Sequence, residues 1–238
     1  MARRSKLREE PSDEIPSLKP ARKPALPDYE PVVEILDMPQ GSEEWFEARL
    51  GLATASNFSK ILAQGEGLSR KKLLRELAGE IVTGIPNEGF KNTAMARGNA
   101  MEDDIRNSYC FSKGVEVERV GFVRRTARPG FVVGCSPDCL VQRSQTVVEI
   151  KSMRPDLLVE LWESGRFPTE HRAQCQGALW VTGWSKLDLV IGHTGWPKPF
   201  VFRVERDDAY IAELARAVET FDWEVRKLAE SIKKWGVG

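Results

Sequence analysis

Histidine and cysteine are scarce in this chain of 238 residues, with two of the first and four of the second. The cysteines, Cys110, Cys135, Cys139 and Cys175, show neither zinc-ligand spacing nor a disulfide framework, and nothing near His171 or His193 completes a ligand set. Free thiols are the expectation. No apolar run approaches the roughly 18 residues of a membrane-spanning helix, and charges occupy the N-terminal stretch where a signal peptide is apolar. A cytoplasmic protein with no membrane partner is expected. An excess of one charge is missing as well, since 35 Lys and Arg balance 35 Asp and Glu. No overall field therefore draws the chain to nucleic acid, and any DNA contact must come from a local patch. The balance does not exclude a nuclease, because acids gathered around metal ions offset basic residues that line a groove.

What is present suffices for a core, with 41% of residues apolar. Residues 1–30 stand apart. They hold five of the fourteen prolines, charges of both signs and almost no apolar periodicity, which is the composition of a flexible arm. Arg3, Arg4, Lys6 and Arg8 in it suit a solvated tail, contact with a phosphate backbone being the other reading. A single folded domain is expected over 31–238, and no internal repeat is found.

"GSEEWFEARLG" predicts a helix that Ser42 caps and Gly51 closes. "TASNFSKILA", "SRKKLLRELAGEIVTG" and "NTAMARGNAMEDDIRNSYCFSKG" predict three more, the last with Glu102, Arg106 and Tyr109 near one stripe. The period then changes to two. "VEVERVGFVRR", "FVVGCSPDCLV" and "TVVEIKSM" predict strands in a short antiparallel meander. Two helices, "DLLVELWESG" and "HRAQCQGALWVTG", and two strands, "KLDLVIGHT" and "PFVFRVE", follow. Ile211, Leu214, Val218, Phe221, Val225, Leu228 and Ile232 step along a long final helix as a stripe for core or subunit contact. The fold class is α/β (α+β), a central mixed β-sheet flanked by helices.

In "TVVEIKS", Val148 and Ile150 face one side of the strand, and Val147, Glu149 and Lys151 the other, with the acid and the lysine about 7 Å apart. A hairpin through "QRSQ" brings Asp138 of "SPDC" beside Glu149. Two carboxylates with the Ile150 carbonyl between them are the oxygen ligands that Mg²⁺ prefers, and Glu102 is a third carboxylate from the preceding helix. Such a cluster would hold one or two hard cations on a phosphodiester. Lys151 would orient or deprotonate the attacking water, or neutralise the charge on the phosphate. The spacing alone favours a solvated strand face, where Glu and Lys often pair.

Further motifs narrow the choice. "GSEEWFEARLGLATAS" (Trp45, Arg49, Gly51, Ser56), "ARGNAMEDDIRNSY" (Gly98, Glu102, Tyr109), "CSPDCLV" (Asp138), "VEIKS" (Glu149, Lys151) and "AQCQGALWVTG" (Gln174, Gln176) stand in one order. In that order the chain resembles the lambda exonuclease, or YqaJ-type viral recombinase, family of PD-(D/E)xK nucleases, over about residues 40–210. The resemblance implies a restriction-endonuclease-like core in which Asp138 and Glu149 bind Mg²⁺, for which Mn²⁺ can substitute. It implies that Lys151 acts at the attacking water, that Glu102 ligates metal directly or through water, and that Gln174 lies beside the site. Arg49 with Ser56 would hold a DNA phosphate. The implied activity is digestion of one strand of duplex DNA from 5′ ends, by a homotrimeric ring that works with a single-strand annealing protein in a bacterial cell, from a phage or prophage.

The chain departs from the family pattern at Cys139, where glycine is usual and a different turn is therefore expected. The arm is not explained by the resemblance. A PD-(D/E)xK endonuclease of repair or restriction, and a module that grips DNA ends without cutting, are the alternative readings.

Overall fold

The computed structural model describes residues 29–63, 67–87 and 93–236, so all but the last two residues of the expected arm lie outside the described residues. The chain enters at strand β1 (Val32–Leu36), helix α1 (Glu43–Arg49) and strand β2 (Ala53–Thr54), then a 3₁₀ turn at Ala55–Asn57. Helices α2 (Phe58–Leu62), α3 (Leu68–Thr83) and α4 (Thr93–Lys113) precede strands β3 (Phe122–Arg128), β4 (Phe131–Cys135), β5 (Cys139–Val141) and β6 (Thr146–Ser152). Helix α5 (Pro155–Ser164), a 3₁₀ turn at Thr169–His171, helix α6 (Arg172–Thr182), strands β7 (Lys186–Gly192) and β8 (Phe200–Glu205) and helix α7 (Asp208–Trp235) complete it.

The mixed α/β class is as the sequence implies, and among the described residues the β-structure comprises two four-stranded mixed sheets, ordered β1-β3-β4-β2 and β5-β6-β7-β8. The single meander expected from the three valine-rich segments is corrected here. β3 and β4 pair antiparallel in the first sheet and β5 and β6 antiparallel in the second, with Ser136, Pro137 and Asp138 between β4 and β5. A proline has no N–H for a ladder, so a strand that reaches Pro137 must break pairing there. β6 runs parallel to β7 and is covered on both faces, which is why "VVEI" is apolar except at one position.

In α7, Ile211, Leu214, Val218, Phe221 and Val225 are buried, each such side chain contributing about 1.5–3 kcal/mol. That stretch of the C-terminal stripe is therefore core. Leu228 is partly buried against the same core, and Ile232 is 38% exposed. Arg70 of α3 donates both Nη atoms to the Glu224 carboxylate of α7, clamping the two helices. α6 lies over the 3₁₀ turn and α2 at Gly177, where an added Cβ would stand 2.4 Å from a ring carbon of Phe58. This close approach holds α6, and with it Gln174, against the β6 face.

Candidate active site

The alternation along β6 is as the sequence predicts. Val148 and Ile150 pack with Ile105 and Tyr109 of α4, and Val147 packs in the main core on the other face. Glu149 shares that second face and is 4% exposed. Burying a carboxylate this deeply is costly without donors. Two are supplied at one atom: Lys151 Nζ lies 2.6 Å from Glu149 Oε1, and Gln174 Nε2 of α6 donates to the same oxygen. Neither donor uses Oε2.

Asp138 stands where the β5–β6 ladder ends. Cys139 faces Val148 and Leu140 faces Val147, so continuing the register puts Pro137 opposite Ile150. Pro137 has no N–H to give the Ile150 carbonyl, and the Asp138 carboxylate takes the proline's place as acceptor for the Ile150 N–H, at 2.5 Å. The N–H and C=O of one strand residue point to the same side, so the Ile150 carbonyl faces the side from which Asp138 approaches. The Pro-Asp pair thus removes a ladder donor and adds a carboxylate at one spot.

Burial, and then the neighbouring Glu149 charge, push the Asp138 carboxyl well above the usual range, against the pull of Lys151 and the Ile150 N–H. Burial raises Glu102 as well, opposed by Lys151 and Arg106. For Lys151, burial works against the ammonium, but the charges of Glu149 and Asp138 outweigh it and hold the cation. Glu102, Glu149 and Asp138 therefore share one electrostatic neighbourhood around Lys151. A cavity of about 400 Å³ opens beside Asp138 and Glu102, with Asp103, Arg106 and Gln40 also in its wall.

Among the described residues no three Asp, Glu, His or Cys side chains stand as a ready metal cage. Asp138, Glu149 and the Ile150 carbonyl nevertheless suit a hard cation that keeps several of its waters and takes only one or two carboxylates, as Mg²⁺ does. The carbonyl facing Pro137 is the atom such an ion would satisfy.

Arg49 is joined to this place through Ser136. Its Nη1 lies 3.1 Å from Ser136 Oγ, and its guanidinium stacks 3.9 Å over the Trp45 ring. Trp45 Nε1 donates to the same hydroxyl and to the Gly121 carbonyl, which assigns Trp45 to packing. Arg49, Thr54, Asn57 and Lys60 line a second cavity of about 120 Å³. Ser56 is exposed, and its Oγ meets Thr54 Oγ1 at 3.1 Å, so it reaches Arg49's surroundings through Thr54.

Several residues escaped sequence reasoning. Gln40 Nε2 donates to the carbonyls of Pro137 and Val120, fixing the turn that carries Asp138. Ser136 collects Trp45 and Arg49, contacts distant in the chain that nothing local in the sequence signals. His171, set aside for want of partners, is half-buried at the start of α6, where burial and then Lys151 lower its pKa. Gln176, which the motif order names without a role, is buried. It bridges the Glu205 carbonyl and the Asp207 N–H. Cys139 does not need the special turn expected of glycine, for it has no positive φ and sits fully buried in β5. Burial pushes its thiol up to about 12, so it is inert filling.

Residues 44–185 match the YqaJ-like viral recombinase domain. An alkaline exonuclease (LHK-Exo) from Laribacter hongkongensis is 32% identical over 82% of this chain and 98% of its own, with a TM-score of 0.71. Its complex with dAMP aligns over the same shares with a TM-score of 0.72. A phage related exonuclease from Haemophilus somnus 129PT, 14% identical over 77% of this chain and 95% of its own, shares the fold with a TM-score of 0.52. No curated protein matches the chain.

Proposed function

Because the chain belongs to the YqaJ-like viral recombinase family, we propose that it is a Mg²⁺-dependent exodeoxyribonuclease acting on duplex DNA. It digests one strand from a 5′ end and leaves a 3′ single strand for recombination by annealing. The observation that carries this reading is the convergence of Glu149, Lys151 and Gln174 beside Asp138 at the end of a ladder that Pro137 interrupts. The Laribacter relative is held in complex with dAMP, a deoxynucleoside monophosphate, the unit that stepwise hydrolysis of DNA releases.

Asp138, Glu149 and the Ile150 carbonyl would hold the ion, with Glu102 joining directly or through water. A bound divalent cation supplies Lewis acidity at the phosphodiester and lowers the pKa of a water. Lys151 and Gln174 grip Glu149 by Oε1, which turns Oε2 to ligand duty. The Lys151 ammonium neutralises charge that builds on the attacked phosphate and orients the attacking water. Proton abstraction by this amine is disfavoured, since the adjoining carboxylates hold its proton in place. Arg49 offers a planar fork to a phosphate of the strand end, and Ser56 adds a hydroxyl.

The rest of the reading follows the family. The nuclease domain spans 31–238, with 1–30 as an arm. Three copies form a ring on DNA, a single-strand annealing protein takes the product, and the site of action is the cytoplasm of a bacterial host of a phage or prophage. No described helix is long and apolar enough to cross a membrane. Polarity is tested with duplexes labelled at one 5′ or one 3′ terminus: early release of the 5′ label is expected, and early release of the 3′ label contradicts the assignment. Light scattering tests the ring, with three times the 26.8 kDa chain mass expected and a monomer contradicting it.

A further inference from the structure

We propose that Lys60 is a specificity-determining residue that reads the charge of a 5′-terminal phosphate together with Arg49, which rests on the reading of Arg49 and Ser56 as phosphate contacts at a strand end. Lys60 and Arg49 line one cavity of about 120 Å³, and Thr54 and Asn57 stand in the same wall. Lys60 Nζ donates to Asn57 Oδ1 at 2.9 Å, and Asn57 Nδ2 donates to Thr54 Oγ1 at 3.4 Å. Thr54 Oγ1 meets Ser56 Oγ at 3.1 Å. Hydrogen bonds therefore lead step by step from the Lys60 ammonium to the Ser56 hydroxyl and hold the two in a set relation.

The charges in the wall decide what it attracts. Two acids, Glu76 and Glu80, line the cavity as well, and both are engaged. Glu80 accepts the Gly51 N–H at Oε2 and the Asn87 N–H at Oε1, and Glu76 Oε1 lies 3.5 Å from Lys72 Nζ. Lys60 is exposed, so a DNA end can reach it. Its ammonium has three N–H donors, of which Asn57 takes one. A terminal phosphate monoester carries about −1.5 to −2 charges at neutral pH, whereas a diester within the strand carries one and a 5′-hydroxyl none. One cation suits any phosphate of the strand. A second cation on the same cavity favours the terminal one, the Arg49 fork gripping its oxygens and the Lys60 point charge balancing the added charge.

The experiment measures the Kd of the full-length protein for a duplex with a 5′-phosphate and for the same duplex with a 5′-hydroxyl, by fluorescence anisotropy with Ca²⁺ in place of Mg²⁺. Lys60→Met is expected to weaken binding of the phosphorylated end about 5–20-fold, with the hydroxyl end held within about twofold. Lys60→Arg, which keeps the charge, is expected to retain the preference for the phosphorylated end, and Lys60→Glu to lose more of it than Lys60→Met. An unchanged preference in Lys60→Met would overturn the proposal. So would an equal loss on both ends, which makes Lys60 a contact to the strand at large, or a preference lost as fully in Lys60→Arg, which assigns the effect to the Asn57 hydrogen bond. A parent that binds both ends alike defeats the reading of Arg49 and Ser56 and the role of Lys60 with it. A parent that prefers the phosphorylated end but leaves linear duplex intact in Mg²⁺ defeats the nuclease reading alone, while the comparison of ends still decides the role of Lys60.

Discussion

At 2.6 Å from Glu149 Oε1, the Lys151 ammonium is paired tightly enough to remain a cation, and that determines what its loss should do. Lys151→Ala is expected to lower kcat about 10²–10³-fold while leaving the Kd for duplex DNA within about twofold, as measured by single-turnover kinetics and fluorescence anisotropy. Loss of binding in step with cleavage would make Lys151 a DNA anchor. Asp138 gives a prediction of the opposite kind. Its folded carboxyl sits above its unfolded range because of burial and Glu149, so the folded state holds more protons and loses stability as pH rises. In EDTA at neutral pH, Asp138→Asn should therefore unfold later by about 2–4 °C, a gain of roughly 1 kcal/mol at this size. The gain should vanish as pH falls through the folded Asp138 pKa, where the parent takes up its proton. A variant less stable than the parent at neutral pH would show that the Ile150 N–H contact outweighs the burial of charge.

Among the elements, α6 is placed by Gly177 against Phe58, and the contact is too close for a side chain. Gly177→Ala is predicted to destabilise the protein by about 1–3 kcal/mol through overpacking, read as a shift in the urea midpoint at constant m. An unchanged midpoint would mean that Phe58 swings aside without cost. The same contact shows what the sequence could and could not disclose. The helices were legible because their apolar spacing and end glycines are local: Gly51, Gly84, Gly165 and Gly183 all take positive φ beside a helix end. The polar face of β6 was legible from the period of two. The division into two sheets was not, since it depends on which strands meet across Pro137, and β1 was missed because its short, half-exposed run has no partner until β3 arrives. In the candidate site, Asp138, Glu149, Lys151 and Gln174 are the residues that motifs single out. Gln40 and Ser136 act through contacts some 80 to 97 residues distant in the chain, and no local pattern marks them.

For the molecule as a whole, a net charge of zero leaves no general attraction for DNA, so each phosphate contact should be visible in the salt dependence of binding. Arg49→Ala is expected to weaken binding to 5′-phosphorylated ends and to reduce the slope of log K against log salt by about 1. Equal parental rates on phosphorylated and unphosphorylated ends would remove that role. The proposed function is that of a nuclease whose substrate is a DNA end. The most direct test measures acid-soluble nucleotide released in Mg²⁺ from linear and from covalently closed circular duplex, by the parent and by Glu149→Gln. Release from linear DNA by the parent alone is expected, and none from the circle with either protein. Parental cleavage of the closed circle, or undiminished release by Glu149→Gln, would contradict it.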